Sequence, residues 1–186
     1  SKKNFDITGT IDKKFYSKKI ILNYKKIHAL YSDILLSKND LLRLFNYLQF
    51  SRLEVRIENS RILNPIDKFM NLSANKYFKL NFKKDKKSLN LFFKELSLDQ
   101  KIQLLLQKYL KNKYLKSISD LSNFEIILFT LISSKKNKVD LIVISSRMFE
   151  KINSGQKNFL KLLFKQIELD IIVIYDDLKE LKNNFL

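Results

Sequence analysis

The chain has 186 residues and a formal charge of +17, from 36 Lys and Arg against 19 Asp and Glu. A hydrophobic content of 45% is enough to bury a core, which excludes ordinary disorder, and the length suits a single domain. The absence of cysteine excludes disulfides, thiolate metal sites and thiol catalysis, and the single histidine, His28, excludes any site of paired imidazoles.

The most apolar stretch, Ile126 to Ile132, falls far short of the roughly 18 residues a bilayer crossing needs. No apolar segment opens the sequence, so no cleavable signal is expected in it. Phe, Tyr, Met, Ile, Asn and Lys make up about half of the chain, whereas Gly, Ala, Arg and Pro are nearly absent. The first group has A/T-rich codons and the second G/C-rich ones, which points to an A/T-rich genome such as that of an organelle, an endosymbiont or a parasite. The only arginines are Arg43, Arg52, Arg56, Arg61 and Arg147, so Lys carries nearly all the positive charge. A basic surface attracts phosphate, but codon drift also writes Lys wherever a polar residue is tolerated. Charge alone therefore does not decide for nucleic acid.

Residues 1–19 are polar and Lys-rich, with an edge strand expected around Phe5 to Thr10. Ile20 to Tyr24 and Lys26 to Tyr31 read as short strands. From Lys38 to Phe50, Leu41, Leu42, Phe45 and Leu48 recur at helical spacing. Leu53, Val55 and Ile57 alternate with Glu54, Arg56 and Glu58, the period of a half-buried strand, and Asn59-Ser60 reads as a turn into Arg61 to Leu63. Phe78, Leu80 and Phe82 alternate with Lys and Asn, suggesting a further strand.

The middle is expected to be helical, with helices over Leu89 to Leu96 and Asp99 to Lys111. Ser122-Asn123-Phe124-Glu125 has the pattern of a capping box, in which hydroxyl and carboxylate each satisfy an orphan amide. The helix behind it, Asn123 to Ser133, is apolar nearly all round and should be buried. Val139 to Ile144 is a β-branched run of the kind covered on both faces. An amphipathic helix from Gly155 to Ile167, a second buried run from Leu169 to Tyr175 and a terminal helix from Asp177 complete a βαβα unit with parallel strands. The fold class is α/β.

In this order and spacing the elements resemble a degenerate nucleotide-binding domain of the ABC ATPase superfamily. The resemblance covers roughly Ile20 to Leu181 and is clearest after Leu121. It implies a P-loop fold with a mainly parallel sheet, N-terminal antiparallel strands and a helical subregion at about 87–120 within one domain spanning 1–186. His28 to Asp40 occupies the slot of the Gly-rich phosphate loop. Lys38 falls at the phosphate-binding Lys, and is the one cofactor-binding candidate. The family's glycines fall at Ser32, Leu35 and Ser37, and its Mg-binding hydroxyl at Asn39. Glycines are needed there so that backbone amides can close round phosphates; Leu35 brings a branched side chain instead.

Leu121 to Glu125 aligns with the family's signature motif, keeping its Leu-Ser start and lacking its glycines. Twenty-four residues after Leu121, the buried strand ends in Ser145-Ser146, where the family has the Asp of the Mg shell and the Glu that activates water. Ile171 to Leu178 matches the last core strand, with Asp176 in place of the usual His. A missing general base alone costs on the order of 10²–10⁴ in rate, and the lost metal carboxylate removes preorganisation that phosphoryl transfer depends on. The resemblance thus implies a pseudo-ATPase with no catalytic residues and no metal site, and neither ATP nor Mg²⁺ is expected as a working cofactor.

The compact size is similar to that of short ABC subunits such as the cytochrome c maturation ATP-binding subunit. That resemblance implies protein partners in a larger assembly, either membrane proteins or a second ABC-type subunit, on the matrix side of the mitochondrial inner membrane. The cytoplasm of a bacterium with an A/T-rich genome is the alternative location. The rival function is a basic, RNA-contacting subunit of an organellar ribosome, resting on the charge and on Lys83, Lys84, Lys86 and Lys87. Tyr77, Tyr109 and Tyr114 are then the candidates for base stacking. Asp176 and Asp177 close a buried strand, where a helix N-terminus is the preferred explanation over a metal or acid–base pair.

Overall fold

The computed structural model describes residues 2–11, 14–23, 27–31, 55–58, 71–82, 86–139, 141–175 and 177–183. The chain divides into two compact units, one of Ser1–Leu63, Lys138–Met148 and Glu168–Leu186, the other of Asn64–Asn137 and Phe149–Ile167.

In the first unit, β1 (Lys2–Ile11) and β2 (Lys14–Asn23) form an antiparallel hairpin in register from Lys2 opposite Asn23 to Ile11 opposite Lys14. The expected edge strand and the expected strand from Ile20 are thus parts of two longer, mutually paired strands. The second sheet holds β3 (Ile27–Tyr31), β4 (Val55–Glu58), β5 (Leu141–Ser145) and β6 (Ile171–Tyr175) in the order β3-β6-β5-β4. All its neighbours run parallel. Every residue of β5 and β6 is buried, as their continuous β-branched runs require of strands in the middle of a parallel sheet. β4 pairs with β5. The helix expected over Lys38 to Phe50 and the turn strand Arg61 to Leu63 lie outside the described residues.

The second unit is helical. Its described helices are α1 (Ala74–Tyr77), α2 (Lys86–Glu95), α3 (Gln100–Leu110), α4 (Asn123–Lys136) and α5 (Ser154–Ile167). A short α6 (Leu178–Lys182) follows β6 in the first unit. As expected, α4 is buried on nearly every side, from Ile126 through Ser134. Within it Thr130 returns its hydroxyl to the Ile126 carbonyl at 2.8 Å, so the buried oxygen is satisfied inside the helix. Asp99 caps α3 by accepting the Ile102 N–H at 2.8 Å. That bond, with the Gln166 amide behind it, holds the Asp99 carboxyl below its usual range.

The strand expected over Phe78, Leu80 and Phe82 does not form. Phe78 ends α1, and Lys79 and Asn81 take left-handed backbone angles, φ 52° and 56°. Left-handed residues at alternate positions still send Phe78, Leu80 and Phe82 inward, and all three are buried. The period of two was a true burial signal with a different backbone behind it. Phe78 stacks on Phe129 at 5.5 Å, and Phe82 meets Phe92 edge-on at 4.9 Å. Lys136 at the end of α4 donates to the Leu80 carbonyl at 2.6 Å and lies 5.3 Å over the Phe92 ring.

Helices in this chain end without glycine. Lys79, Ser97, Asn112, Lys138 and Glu168, which follow α1 to α5, all have positive φ. At the first of these, Leu80 N–H reaches the Asn75 carbonyl at 3.0 Å and Lys79 N–H the Lys76 carbonyl at 3.2 Å, the paired bonds of a Schellman stop.

Candidate functional site

Parallel strands bring their carboxyl ends to one edge of the sheet, where open α/β folds place ligands. Here β6 lies between β3 and β5, with Tyr31 level with Tyr175 and Ile174 level with Ser145. Ser32, Leu35, Ser37, Lys38 and Asn39 lie outside the described residues, as does Asp176. Among the described residues, this edge is formed by the strand ends Tyr31, Glu58, Ser145 and Tyr175.

At the end of β5 both serines are buried. Ser145 Oγ accepts the Arg147 N–H at 3.3 Å. Ser146 Oγ is buried with no hydrogen-bond partner, which leaves a neutral hydroxyl able to donate and accept. Neither group carries charge to offset a divalent cation or takes a proton from water at neutral pH. Tested for Mg²⁺ and a general base, the donor set at this strand end does not fit. Among the described residues, no three His, Asp or Glu side chains cluster.

At the end of β6, Tyr175 is buried, and its hydroxyl is pushed up to about 12 by burial and secondarily by Glu180. Asp177 Oδ1 accepts the Lys179 N–H at 2.8 Å, so this carboxylate caps α6. The helix-terminus explanation of Asp177 is the one realised. His28 sits in β3 opposite Ile172.

The segment aligned with the signature motif has a complete structural explanation. Ser122 Oγ accepts the Glu125 N–H at 3.2 Å, and Glu125 Oε1 accepts the Ser122 N–H at 3.1 Å. The remaining Glu125 oxygen pairs with Lys113 Nζ at 3.1 Å. Leu121 and Phe124 are buried. Both chemical residues of the segment are thus engaged in starting α4.

Of the stacking candidates, Tyr114 is buried and Tyr77 and Tyr109 are half-buried against other rings. Tyr114 is buried edge-on to Phe82 at 5.7 Å, and Tyr109 packs on Phe124 at 4.9 Å and on Phe159 at 5.2 Å. Tyr77 is half-buried against Phe78 at 4.8 Å. Lys86 and Lys87 open α2, while Lys83 and Lys84 lie outside the described residues. Sequence reading missed Lys136, which donates to the Leu80 carbonyl, and Asn75, whose carboxamide bonds the Phe82 backbone, since neither partner is revealed by a local pattern.

A parallel sheet of order β3-β6-β5-β4, with an antiparallel hairpin before it and helices between β4 and β5, is an α/β fold, and solved structures similar to it in fold include ABC ATP-binding domains. A chain described as an ABC transporter ATP-binding protein from Pyrococcus furiosus is similar at TM-score 0.54 and 13% identity, covering 95% of this chain and 92% of that one. A nucleotide-free ATP-binding cassette from an ABC transporter is similar at TM-score 0.54 and 10% identity, covering 100% of this chain and 84% of that one. An RNase-L inhibitor is similar at TM-score 0.55 and 9% identity over 93% of this chain and 33% of its own length. At such identities the likeness is one of fold. No protein-family model matches the sequence, and no curated sequence matches it. Among the described residues, no helix is long and apolar enough to cross a membrane.

Proposed function

We propose that the chain is a catalytically degenerate ABC-type ATP-binding subunit that serves as a scaffold in a larger, membrane-associated organellar complex. The observation that carries this reading is the end of β5, where buried Ser145 and Ser146 stand at the positions the resemblance gives to the metal carboxylate and the general base. The capping box at Ser122 and Glu125 supports it, because it employs locally the segment that would otherwise meet nucleotide. Core runs have kept their pattern while positions for chemistry have changed, as selection on packing alone leaves them.

In the finer form of this proposal, the subunit is of the short cytochrome c maturation type and sits on the matrix side of the mitochondrial inner membrane. Its partners there are membrane proteins or an ABC-type subunit with intact motifs. Lys38 keeps at most a residual contact with phosphate. The test is ATP turnover and nucleotide binding by the purified chain. No turnover is expected, and turnover abolished by Lys38→Ala would falsify the proposal. Mass spectrometry of the complex isolated in mild detergent should find hydrophobic membrane proteins.

A ribonucleoprotein role is favoured by one observation, the charge of +17. It predicts RNA binding whose affinity falls steeply with salt, and recovery of ribosomal proteins in the same isolation would select it.

A further inference from the structure

We propose that the outward face of α2, α3 and α5 is a docking surface for an anionic lipid bilayer. These helices form one layer. On one flank of α3, Gln107 donates to Asn90 of α2 at 2.7 Å. On the other, Tyr109 packs on Phe159 of α5 at 5.2 Å, and the Asp99 N–H donates to Gln166 of α5 at 3.0 Å. The layer has an inside. Tyr109 and Phe159 both meet Phe124 of α4, and Phe92 of α2 lies under Lys136 of α4. The opposite faces of all three helices therefore point away from α4.

Each of those faces carries an exposed leucine set among lysines. Leu91 is 60% exposed, Leu104 58% and Leu162 43%. One helical turn from Leu91 is Lys94; Lys101 and Lys108 flank Leu104; Lys161 and Lys165 flank Leu162, and all five are exposed. Lys111 continues the α3 stripe. Among the described residues, the acidic side chains of these helices and their ends are Glu95 and Asp99 at the α2–α3 connection and Glu168 just past α5, and Asp99 is occupied as a cap.

The pattern selects among occupants. Packed helices stand about 8–10 Å apart, so the three leucines are separated by lysines and make no continuous groove for a partner helix. Nucleic acid offers nothing to an exposed leucine, and the aromatic side chain on α3 that could stack a base is turned inward. A bilayer surface suits both residue types at once. Leucines enter the acyl boundary singly, while lysine stems lie along it and their ammonium groups meet lipid phosphates. The inference does not depend on whether nucleotide binds the sheet edge.

The experiment is flotation of the full chain with vesicles of phosphatidylcholine alone or with roughly 30% phosphatidylglycerol. Binding is expected only to the anionic vesicles. Leu91→Ser, Leu104→Ser and Leu162→Ser combined leave the charge unchanged and should weaken binding by roughly tenfold. Lys94→Gln, Lys101→Gln and Lys108→Gln combined should weaken it more than Lys76→Gln, Lys79→Gln and Lys116→Gln, an equal charge loss outside α2, α3 and α5. Circular dichroism confirms that each variant is folded, and the lysine comparison decides the matter if the leucine variant is not. Equal loss from both lysine sets, or full binding by a folded leucine variant, would reduce the effect to bulk charge and overturn the proposal. Absence of binding to anionic vesicles, or displacement from them by an acidic helical peptide or RNA that needs the same leucines, would overturn it too.

Discussion

The carboxamide of Asn75 pairs with both backbone groups of Phe82, accepting its N–H at 2.9 Å and donating to its carbonyl at 3.0 Å. A side chain thereby supplies what a neighbouring strand would give, across a stretch whose alternate left-handed residues cannot join a ladder. Asn75→Asp should lose the donated bond and set a carboxylate against a carbonyl, and Asn75→Ala should lose both bonds. Each should destabilise the chain by about 1–3 kcal/mol in denaturant unfolding. An unchanged midpoint in both variants would remove this pairing from the account of the fold.

The left-handed helix ends invite the opposite experiment. Non-glycine residues at positive φ cost about 1 kcal/mol against glycine, offset in part by the extra freedom glycine brings to the unfolded chain. Lys79→Gly and Lys138→Gly should each raise stability by roughly 0.5–1 kcal/mol, seen as a higher thermal midpoint. With only two glycines in the whole sequence, composition has left stabilising substitutions untaken.

Ser122→Ala should cost about 1 kcal/mol by exposing the first turn of α4 without its cap. Glu125→Gln keeps the returned hydrogen bond and gives up the Lys113 ion pair, so it should cost less. If the segment is a cap and nothing more, neither variant changes nucleotide affinity measured by fluorescence titration. A binding loss larger than the stability loss would restore a ligand role to Ser122.

Stability at high pH should reflect Tyr175. Its folded value, raised from 10.0 to about 12 by burial and then by Glu180, exceeds that of the unfolded chain. Its contribution is therefore complete below about pH 10 and is lost as the pH climbs toward 12. The loss is on the order of 2 kcal/mol across that window. Tyr175→Phe should flatten the decline measured by denaturant midpoints, and the phenolate absorbance of the wild type should show one late-titrating tyrosine that the variant lacks.

Part of this was readable along the chain because the physics was local. The β-branched runs of β5 and β6 name strands that must be covered on both faces, and Ser122 with Glu125 spells a helix start in four residues. The helical periods of α2, α3 and α5 fall within a residue or a few of their bounds. That β5 ends in two neutral serines, Ser145 and Ser146, is equally a matter of sequence.

Other features were decided only in three dimensions. Alternation at Phe78, Leu80 and Phe82 specifies burial but not backbone, and left-handed turns closed by Asn75 satisfy it as well as a strand does. Tyr109 and Tyr114 stand among lysines in sequence, yet they pack inward because ring contacts with Phe82, Phe124 and Phe159 bury more apolar area than solvent exposure would. The partners of β4 and β3 come from more than eighty residues away. The shared outer face of Leu91, Leu104 and Leu162 exists because three helices separated in the chain bury their other sides over α4. Patterns of period determine which side of an element seeks the core; which elements meet there is set by long-range packing, and only that packing decides what remains on the surface.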